Sequence, residues 1–379
     1  MEHIIYLDNS ATTKPCKETC EYINKALLNA WGNPSSLHSL GLNAEMLVTD
    51  AREAIAAKIS ARADEIIFTG SGTEANNTAV LTALSRKNRG NRVITTAIEH
   101  PSVLETVKRL EENGFEVIRL SCKDNGVIDL EELKSALNDK TVLVSIMLVN
   151  NEIGTVQPIA EASKLIKLLS PNAFFHCDAV QAFGKLPINI KALGVDLLSA
   201  SAHKIHGPKG IGFLYCRKGL NLSPLITGGG QERGLRSGTE AVPLIAGFLG
   251  AVKALPDLKA QYEKTADLNR YAREKLQSSG IAEINSPEAA VPFILNISVT
   301  GYRSETLLHF LERKNIFVSS GSACAKGELS YVLSALGLNK ARIDSALRLS
   351  FSRDNSKEEI DLLLDSVKEA VTKLRRSDV

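Results

Sequence analysis

Two histidines and a lysine follow a strongly apolar run near the middle of the chain. Residues 196–206 read DLLSASAHKIH, so His203, Lys204 and His206 come directly after a segment with the composition of a buried strand. Loss of water around a lysine lowers its pKa, and the resulting neutral amine can form a Schiff base with a carbonyl carbon. Lys204 is therefore a candidate nucleophile, although a lysine whose stem only covers apolar surface would leave the same pattern.

Polar residues follow three other predicted strands in the same way. The run AFFHCDA ends just past Asp178, with Gln181 three residues after that carboxylate, which needs a cation or a hydrogen-bond donor if it is buried. The run EIIFT leads into GSGTEANN, where Gly72 and Thr73 open a predicted helix whose free N–H groups can bind an anion. In IEHPSV, His100 directly precedes a proline suited to the first turn of a helix. Taken singly, each feature is as typical of a helix cap or an internal ion pair as it is of a binding site.

Taken together, these four segments meet the requirements of one cofactor, pyridoxal 5'-phosphate. Its phosphate would bind at the helix N-terminus, its ring nitrogen would pair with Asp178, and its aldehyde would react with Lys204. The combination is far more specific than any of its parts. We therefore predict a pyridoxal phosphate site.

Alternating strand and helix patterns indicate the fold that must position these residues. Such alternation predicts right-handed βαβ units and a mostly parallel sheet covered by helices, in an α/β fold. Ligands of such sheets bind at the carboxyl ends of the strands, which is where the polar residues above are expected. The predicted strands cover residues 65–69, 92–97, 116–121, 141–149 and 173–179, followed by 196–203 and 210–217.

A change of pattern near residue 257 predicts two units. A long charged helix over about 258–279 is followed by an α+β pattern that continues to the end of the 379-residue chain. We predict a large cofactor-binding domain of residues 15–257, and a smaller α+β domain that combines residues 1–14 with 258–379. No linker separates the two, so we expect them to enclose a cleft.

The composition excludes several classes of partner. The chain has 45 Lys and Arg against 43 Asp and Glu, a formal net charge of +2, and its charges are interspersed, so no direct binding of nucleic acid is expected. No apolar run approaches the roughly 18 residues of a membrane span, and no secretory signal is apparent at the N-terminus. We expect a cytoplasmic protein that does not bind membranes.

The six cysteines do not form a pattern typical of disulfides or zinc. They lie at positions 16, 20, 122, 177, 216 and 324, without a C-x-x-C pair, so no metal site is predicted. Cys16 and Cys20, on an early predicted helix, are expected to be packed side chains. Cys324 differs, because it lies in SSGSACAKG, a segment of small residues that could carry a thiol to a reaction centre.

The string SASAHKIHGPKGIG resembles the lysine segment of cysteine desulfurases of the NifS/IscS type, in the class V aminotransferase group of fold-type I pyridoxal phosphate enzymes. The resemblance covers essentially the whole chain, and the SSGSAC block is the one that points to desulfurases. The other similar blocks, in family order, are YLDNSATT, GNPSS, TGSGTEANN, IEHPSV, VNNEIGTVQPI, HCDAVQAFGK and GGGQERGLRSGT.

The resemblance implies an activity and a set of roles. L-cysteine and the Cys324 thiol would give L-alanine and a Cys324 persulfide, whose sulfur passes to an iron–sulfur scaffold protein or a tRNA-thiolating enzyme. Lys204, Cys324 and His100 would be catalytic, with His100 stacking on the cofactor ring and taking the substrate thiol proton. Asn151 and Arg348 would bind the substrate carboxylate. The implied cofactor-binding residues are Gly72, Thr73, His100, Asp178, Gln181, Ser201, His203, Lys204 and, from the second subunit of a homodimer, Thr239.

Other functions fit parts of the sequence. A selenocysteine lyase or another class V aminotransferase-type enzyme would share most of these blocks and would not need Cys324. A binding protein that has lost catalysis would have no reason to retain Lys204, Asp178 and His100 together. A dinucleotide-dependent dehydrogenase is disfavoured, since the turn before the first predicted helix does not match G-x-G-x-x-G.

Overall fold

The computed structural model describes residues 4–320 and 329–376. Its strands are β1 (Ile5–Tyr6), β2 (Ile66–Thr69), β3 (Arg92–Thr96), β4 (Glu116–Leu120), β5 (Thr141–Ser145), β6 (Phe174–Asp178), β7 (Leu197–Ser201), β8 (Gly212–Cys216), β9 (Glu283–Ile284), β10 (Ile294–Ser298), β11 (Ile316–Phe317), β12 (Ser319–Ser320) and β13 (Ala346–Ser350). Its helices are α1 (Lys17–Asn29), α2 (Ser39–Lys58), α3 (Gly72–Leu81), α4 (Pro101–Glu112), α5 (Leu130–Ala136), α6 (Ile159–Leu169), α7 (Ile190–Leu193), α8 (Val242–Lys253), α9 (Leu258–Ser279), α10 (Ser304–Glu312), α11 (Tyr331–Ala335), α12 (Lys340–Asp344) and α13 (Lys357–Lys373).

A seven-stranded sheet in the order β2-β8-β7-β6-β5-β3-β4 forms the centre of the molecule. The pairs within β7-β6-β5-β3-β4 are parallel, and β8 runs antiparallel to both of its neighbours. Each strand falls within one of the seven predicted runs, so the prediction of a mostly parallel sheet in an α/β fold is confirmed. Strands β2, β5, β6, β7 and β8 are buried along their whole length, as expected for strands covered on both faces.

Two long helices, α2 and α8, were not predicted from the sequence. In α8, nine of the twelve residues are buried, so its sequence shows no polar face that would reveal a helical period. Its glycines allow α1 to approach closely: a Cβ added at Gly250 would lie 2.6 Å from the Glu18 carbonyl oxygen. In α2 the buried face is built mainly from small residues, including Ala44 and Ala51, which mark the helix only weakly.

A smaller unit follows the central sheet along the chain. Strands β12-β13-β10-β9 form an antiparallel sheet, and β1 pairs with β11. One hydrophobic cluster joins Ile5 and Leu7 near the N-terminus to Leu295 and Leu347 of this sheet. The large cluster around the central sheet also takes in residues 291, 293 and 294. The domain limits at 14–15 and 257–258 therefore stay a prediction, with contacts crossing between the two parts.

None of the described helices has the length and apolar character needed to cross a lipid bilayer. Among residues 4–320 and 329–376, no group of three or more His, Cys, Asp or Glu side chains is placed to hold a metal ion.

A histidine inside the central sheet joins three adjacent strands. The two ring nitrogens of His176 on β6 lie 2.9 Å from the hydroxyl oxygens of Ser145 on β5 and Ser199 on β7. Burial lowers the pKa of His176 to about 3. The imidazole is therefore neutral at physiological pH, and it bridges the strands through hydrogen bonds without an interior charge.

We expect His176 to make the protein less stable in mild acid. The unfolded chain binds a proton at this histidine near pH 6.5 and the folded chain only near pH 3. The free energy of unfolding should therefore fall below pH 6.5 by up to about 1.4 kcal/mol per pH unit from this group. Urea unfolding at a series of pH values should show a smaller loss of stability for His176→Gln than for the wild type. Equal slopes for His176→Gln and wild type would contradict this assignment.

Candidate active site

A cavity of about 920 Å³ opens at the carboxyl ends of the central strands, against the smaller sheet. Its walls come from the turns after β2, β3, β6 and β7, from the segment after β1, and from β12 and β13. This is the edge at which an open parallel sheet binds ligands. Ten residues singled out from the sequence line this one cavity: Gly72, Thr73, His100, Asn151, Asp178, Gln181, Ser201, His203, Lys204 and Arg348.

Lys204 lies three residues after the end of β7, where the chain turns before returning as β8. Its Nζ donates hydrogen bonds to the carbonyl oxygens of Ser10, at 2.5 Å, and Ala11, at 2.8 Å. The neighbouring His203 lies 3.1 Å from the Thr12 hydroxyl through Nδ1, and burial lowers its pKa to about 4. The segment after β1 thus holds the amine of Lys204 at the cavity wall.

Asp178 ends β6 as a buried carboxylate that is satisfied by neutral donors. One oxygen accepts a hydrogen bond of 2.6 Å from the Asn76 side-chain amide, and the other accepts one of 2.9 Å from the backbone N–H of Val180. Hydrogen bonds of this kind compensate for lost hydration and leave the negative charge available to a cationic group. Asp178 can therefore pair with a protonated ring nitrogen in the cavity.

A chain of hydrogen bonds runs from Asp178 to His100. The Asn76 side-chain amide donates one hydrogen bond to Asp178 and a second, of 2.9 Å, to the Ser102 hydroxyl oxygen. That hydroxyl lies 2.8 Å from His100 Nδ1. The backbone N–H of Ser102 also donates to His100 Nδ1, at 3.1 Å. Because a backbone amide can only donate, Nδ1 must be unprotonated. The neutral imidazole therefore carries its proton on Nε2.

The electrostatics around His100 favour that neutral form. Burial lowers the pKa of His100, the nearby negative charge of Asp178 raises it, and the positive charge of Lys204 lowers it further, with a net decrease. At neutral pH the ring thus presents an N–H donor at Nε2. To act as a base at Nε2, the imidazole would first have to change tautomer.

The N-terminus of α3 forms a close wall of the cavity. The Ser71 hydroxyl accepts a hydrogen bond from the backbone N–H of Glu74 and so caps the helix, which leaves the N–H groups of Gly72 and Thr73 without helical partners. A Cβ atom at Gly72 would lie 2.8 Å from the Val180 side chain and 3.3 Å from that of Ser201. Only glycine lets this helix start approach the ends of β6 and β7 so closely, as an anion-binding turn requires.

Arg348 brings a cation from the smaller sheet to the cavity. It lies on β13, is 5% exposed, and donates to an Asp8 carboxylate oxygen at 2.9 Å and to the Asn151 carbonyl oxygen at 3.1 Å. Its Nε atom, the Asn151 Oδ1 atom and the Ser10 hydroxyl oxygen are buried without a hydrogen-bond partner. Three unpartnered polar atoms on the walls of one cavity indicate a ligand with polar groups of its own.

Gln181 lies one turn beyond Asp178, and its amide orientation is set by two contacts. Its Nε2 donates to the Ser10 carbonyl oxygen at 2.9 Å, and its Oε1 accepts from Lys185 Nζ at 3.4 Å. Burial and the positive charges of Lys204 and Arg348 lower the pKa of Lys185 to about 7. These contacts direct the amide N–H groups of Gln181 away from Lys185, so the second N–H is available to an acceptor.

Two buried carboxyl groups near the cavity were not anticipated. Burial raises the pKa of Glu152, which lines the cavity, to about 7, and its carboxyl group accepts a hydrogen bond of 2.5 Å from the Ser330 hydroxyl. Burial raises the pKa of Glu99 to about 8, and the Tyr331 hydroxyl donates to its backbone carbonyl oxygen at 2.6 Å. Both contacts attach the start of α11 to the walls of the large sheet.

Sequence reasoning missed Asp8, Asn76 and Glu152. Each lies inside a block quoted above, YLDNSATT, TGSGTEANN or VNNEIGTVQPI, but the spacing within one block does not reveal a partner more than a hundred residues away. Thr239 is exposed and does not line the cavity of its own chain. Cys324 lies outside the described residues.

The expectation that Cys16 and Cys20 are packed side chains is wrong for Cys20. Cys20 is exposed in the second turn of α1, and Cys16 is only partly buried. The periodicity of α1 fails to show this because the helix has just two buried residues, Thr19 and Ala26.

The sequence profile of the aminotransferase class-V family matches residues 5–363. The chain therefore belongs to the class-V aminotransferase family, whose members are pyridoxal phosphate enzymes. A Bacillus subtilis protein that carries the name IscS 1 is 44% identical over 377 residues, 98% of this chain and 99% of its own length. The cysteine desulfurase of Trichormus azollae is 42% identical over 380 residues, with 98% and 94% covered. A solved structure of a NifS-like protein has a TM-score of 0.93 at 37% identity and covers 98% of this chain and 100% of its own.

These matches confirm the resemblance to cysteine desulfurases of the NifS/IscS type over nearly the whole chain. They also confirm the predicted class of enzyme.

The close approach of α3 to β6 can be tested by adding one methyl group. Gly72→Ala should displace the helix start, at a cost of about 1–3 kcal/mol typical of overpacking, and should weaken binding of pyridoxal phosphate. Removing the facing methyl groups in Gly72→Ala/Val180→Ala should restore part of the affinity, with Val180→Ala as the control. Titration of each apoprotein with cofactor, followed by absorbance, gives the four dissociation constants. Wild-type affinity in Gly72→Ala would show that the helix start does not contact the cofactor.

Proposed function

We propose that this enzyme uses pyridoxal phosphate held by Lys204 to remove sulfur from L-cysteine and to place it on Cys324. The reaction converts L-cysteine and the Cys324 thiol into L-alanine and a Cys324 persulfide, so a sulfur–sulfur bond replaces the carbon–sulfur bond of the substrate. The observation that carries the proposal is the meeting of Lys204, Asp178 and the N-terminus of α3 in one cavity. The names of the relatives support the choice of cysteine as the substrate.

The residues present fit the cofactor. An amine, a buried carboxylate and a glycine-lined helix start, all on one cavity, match an aldehyde, a basic ring nitrogen and a phosphate. Pyridoxal phosphate, when bound, would supply one kind of chemistry: it withdraws electrons from the α-carbon of an amino acid. Lys204 would hold the aldehyde, Asp178 the ring nitrogen, and Gln181 the phenolic oxygen through its available N–H.

The phosphate would lie against the N-terminus of α3 and the end of β7. Gly72 and Thr73 offer backbone N–H groups there, and Thr73, Ser201 and His203 offer side-chain donors. The low pKa of His203 keeps that ring neutral, so it can contribute a hydrogen bond rather than a positive charge. The helix dipole and the neutral donors together favour the dianion.

Arg348 would bind the substrate carboxylate. Its unpartnered Nε and the unpartnered Asn151 Oδ1 lie on the cavity wall, where they can meet the carboxylate and the amino group of an amino acid. Asp8 and the Asn151 carbonyl oxygen hold the guanidinium in a fixed orientation, which limits the entropy lost on binding. This arrangement favours a small α-amino acid.

Proton transfer would involve Lys204 and His100. Once released from the aldehyde, the Lys204 amine can remove the α-proton of the bound amino acid. The sequence resemblance implies that His100 takes the thiol proton. Since the neutral ring has only one proton, we propose that His100 takes the thiol proton after a change of tautomer, and that the resulting imidazolium returns a proton from Nε2 to the carbon that has lost its sulfur.

Cys324 would be the sulfur acceptor, attacking the substrate sulfur as a thiolate. Ser320, the last described residue before this cysteine, and Leu329, the first described residue after it, both line the cavity. The described residues on either side of positions 321–328 therefore lie at the wall of the proposed reaction site. That placement supports the assignment of the acceptor to this block.

A homodimer would complete the site through Thr239. The surface of a single chain exposes several large apolar side chains between residues 27 and 46, including Trp31 at 67% and Leu37 at 105%. An exposed apolar patch of this kind is typical of a subunit interface. We propose that the partner chain covers it and directs Thr239 towards the phosphate.

The persulfide sulfur would pass to an iron–sulfur scaffold protein or a tRNA-thiolating enzyme in the cytoplasm. The IscS and NifS names among the similar proteins support a sulfur-donating role. Selection between these acceptors depends on surfaces outside the cavity.

Replacing Cys324 should separate cofactor binding from sulfur transfer. Cys324→Ser should keep the visible absorbance of the bound cofactor and lose alanine production from cysteine by several orders of magnitude, because it removes the nucleophile. Lys204→Ala should lose both. Cys20→Ser, which alters an exposed cysteine, serves as the control and should retain full activity. Alanine release by Cys324→Ser at the wild-type rate would overturn the assignment.

Mixed dimers can test the origin of Thr239. Thr239→Val and Lys204→Ala homodimers should both be impaired, since every site lacks one of the two side chains. If Thr239 acts across the interface, a dimer of one subunit of each kind contains one intact site and should regain up to half of the wild-type activity. Differently tagged subunits, coexpressed and purified in tandem, supply that dimer. Absence of any recovery would show that Thr239 does not act on the site of the partner.

A further inference from the structure

A second cavity, of about 530 Å³, lies at the opposite edge of the central sheet. Its walls include the residues at the amino ends of β6 and β7, the end of α6, and the last residues of the antiparallel strand β8. The proposed reaction uses none of these residues. Strand β6 separates the two cavities, with Phe174 at its start beside the second and Asp178 at its end beside the first.

Cations dominate the second cavity. Five described basic side chains line this cavity, and they come from four separate parts of the chain: Arg86, Arg89, Lys167, Lys191 and Arg217. Among the described residues, Asp196 supplies the one carboxylate on this wall, and it accepts a hydrogen bond of 2.7 Å from Arg217 Nε. Within the described parts of the chain, none of the other four cations has a carboxylate at ion-pair distance. Five cations beside one carboxylate give this concave surface an excess of positive charge.

Arg86 gives the strongest indication of a ligand. The residue is 8% exposed, and its guanidinium carbon lies 3.6 Å from the centre of the Phe174 ring. Its Nη2 donates to the Asn172 carbonyl oxygen, but its Nε is buried without a hydrogen-bond partner. An unsatisfied N–H on a buried guanidinium at the wall of a cationic cavity lacks an acceptor that a bound anion would supply.

We propose that this second cavity binds a phosphate-bearing polyanion. Arginine is well suited to phosphate, because its planar fork can donate two parallel hydrogen bonds to neighbouring oxygens. This excess of positive charge matches the charge of a diphosphate or triphosphate group better than that of a single carboxylate. The volume is within the usual range for small-molecule sites, so the anion could be free pyrophosphate or the phosphate chain of a nucleotide.

The site would be independent of the proposed reaction centre. The five residues of β6 place its two ends roughly 13 Å apart. A ligand bound beside Phe174 would therefore not compete with cysteine or with pyridoxal phosphate. The proposal does not rest on the assigned activity, and it holds whether or not Cys324 accepts sulfur.

The test is titration of the full chain, purified with saturating pyridoxal phosphate so that the phosphate position beside α3 is filled. Isothermal titration calorimetry with pyrophosphate and with ATP, each at constant ionic strength set with sodium chloride, should show one site per chain. Lys167→Gln and Arg89→Gln, both of which alter exposed side chains lining the cavity, should each weaken binding by roughly tenfold. Lys164→Gln is the matched control, because Lys164 is exposed on the same helix and does not line the cavity.

The outcomes separate the sources of the anion. Equal affinities for pyrophosphate and ATP, both reduced in the two cavity variants, would support a site for the phosphate chain alone, and tighter binding of ATP would support a nucleotide site. Absence of saturable binding by either anion would overturn the proposal. An equal loss of affinity in Lys164→Gln and Lys167→Gln would also overturn it, because that result would indicate nonspecific attraction to surface charge.

Discussion

The buried carboxylate of Asp178 is the feature on which the rest of the active cavity depends. A charge at the end of a fully buried strand costs several kcal/mol unless hydrogen bonds replace its lost water. Here Asn76 and the Val180 backbone supply them. Since Asn76 lies on α3 and also contacts Ser102 on α4, satisfying this one carboxylate fixes the positions of both helices. The start of α3 and His100 are therefore positioned by the same chain of hydrogen bonds.

The strands and helices of this fold could be predicted from the sequence where the hydrophobic pattern is strong. All seven strands of the central sheet follow apolar runs with polar ends, and α9 begins and ends where its charged periodic pattern does. The hydrophobic helix α8 left no such signal, because burial on all sides removes the contrast between faces. The polar residues at the ends of strands could be grouped in advance because the carboxyl ends of parallel strands share an edge.

Pairings across long sequence separations could not be predicted from local patterns. Asp8 and Arg348 meet although 340 positions separate them, and Glu152 reaches Ser330 across 178. Neither contact follows from periodicity or from a short motif. The tautomer of His100 likewise depends on a backbone N–H donor that only the geometry of the helix start supplies. The ten residues named through family resemblance line one cavity, but the resemblance did not supply the contacts that orient each group.

The single antiparallel strand of the central sheet has a consequence for the evolution of this enzyme. Ser201 on β7 pairs directly with Gly212 on β8, so the loop that carries Lys204 is anchored at both ends inside the sheet. Gly212 also lies against the start of α3, where a Cβ would be 2.7 Å from the Ser71 carbonyl carbon. An insertion in this loop would disturb the strand register and the helix start together. Differences in loop length among related enzymes should therefore accumulate elsewhere, while the lysine-bearing loop keeps a constant number of residues.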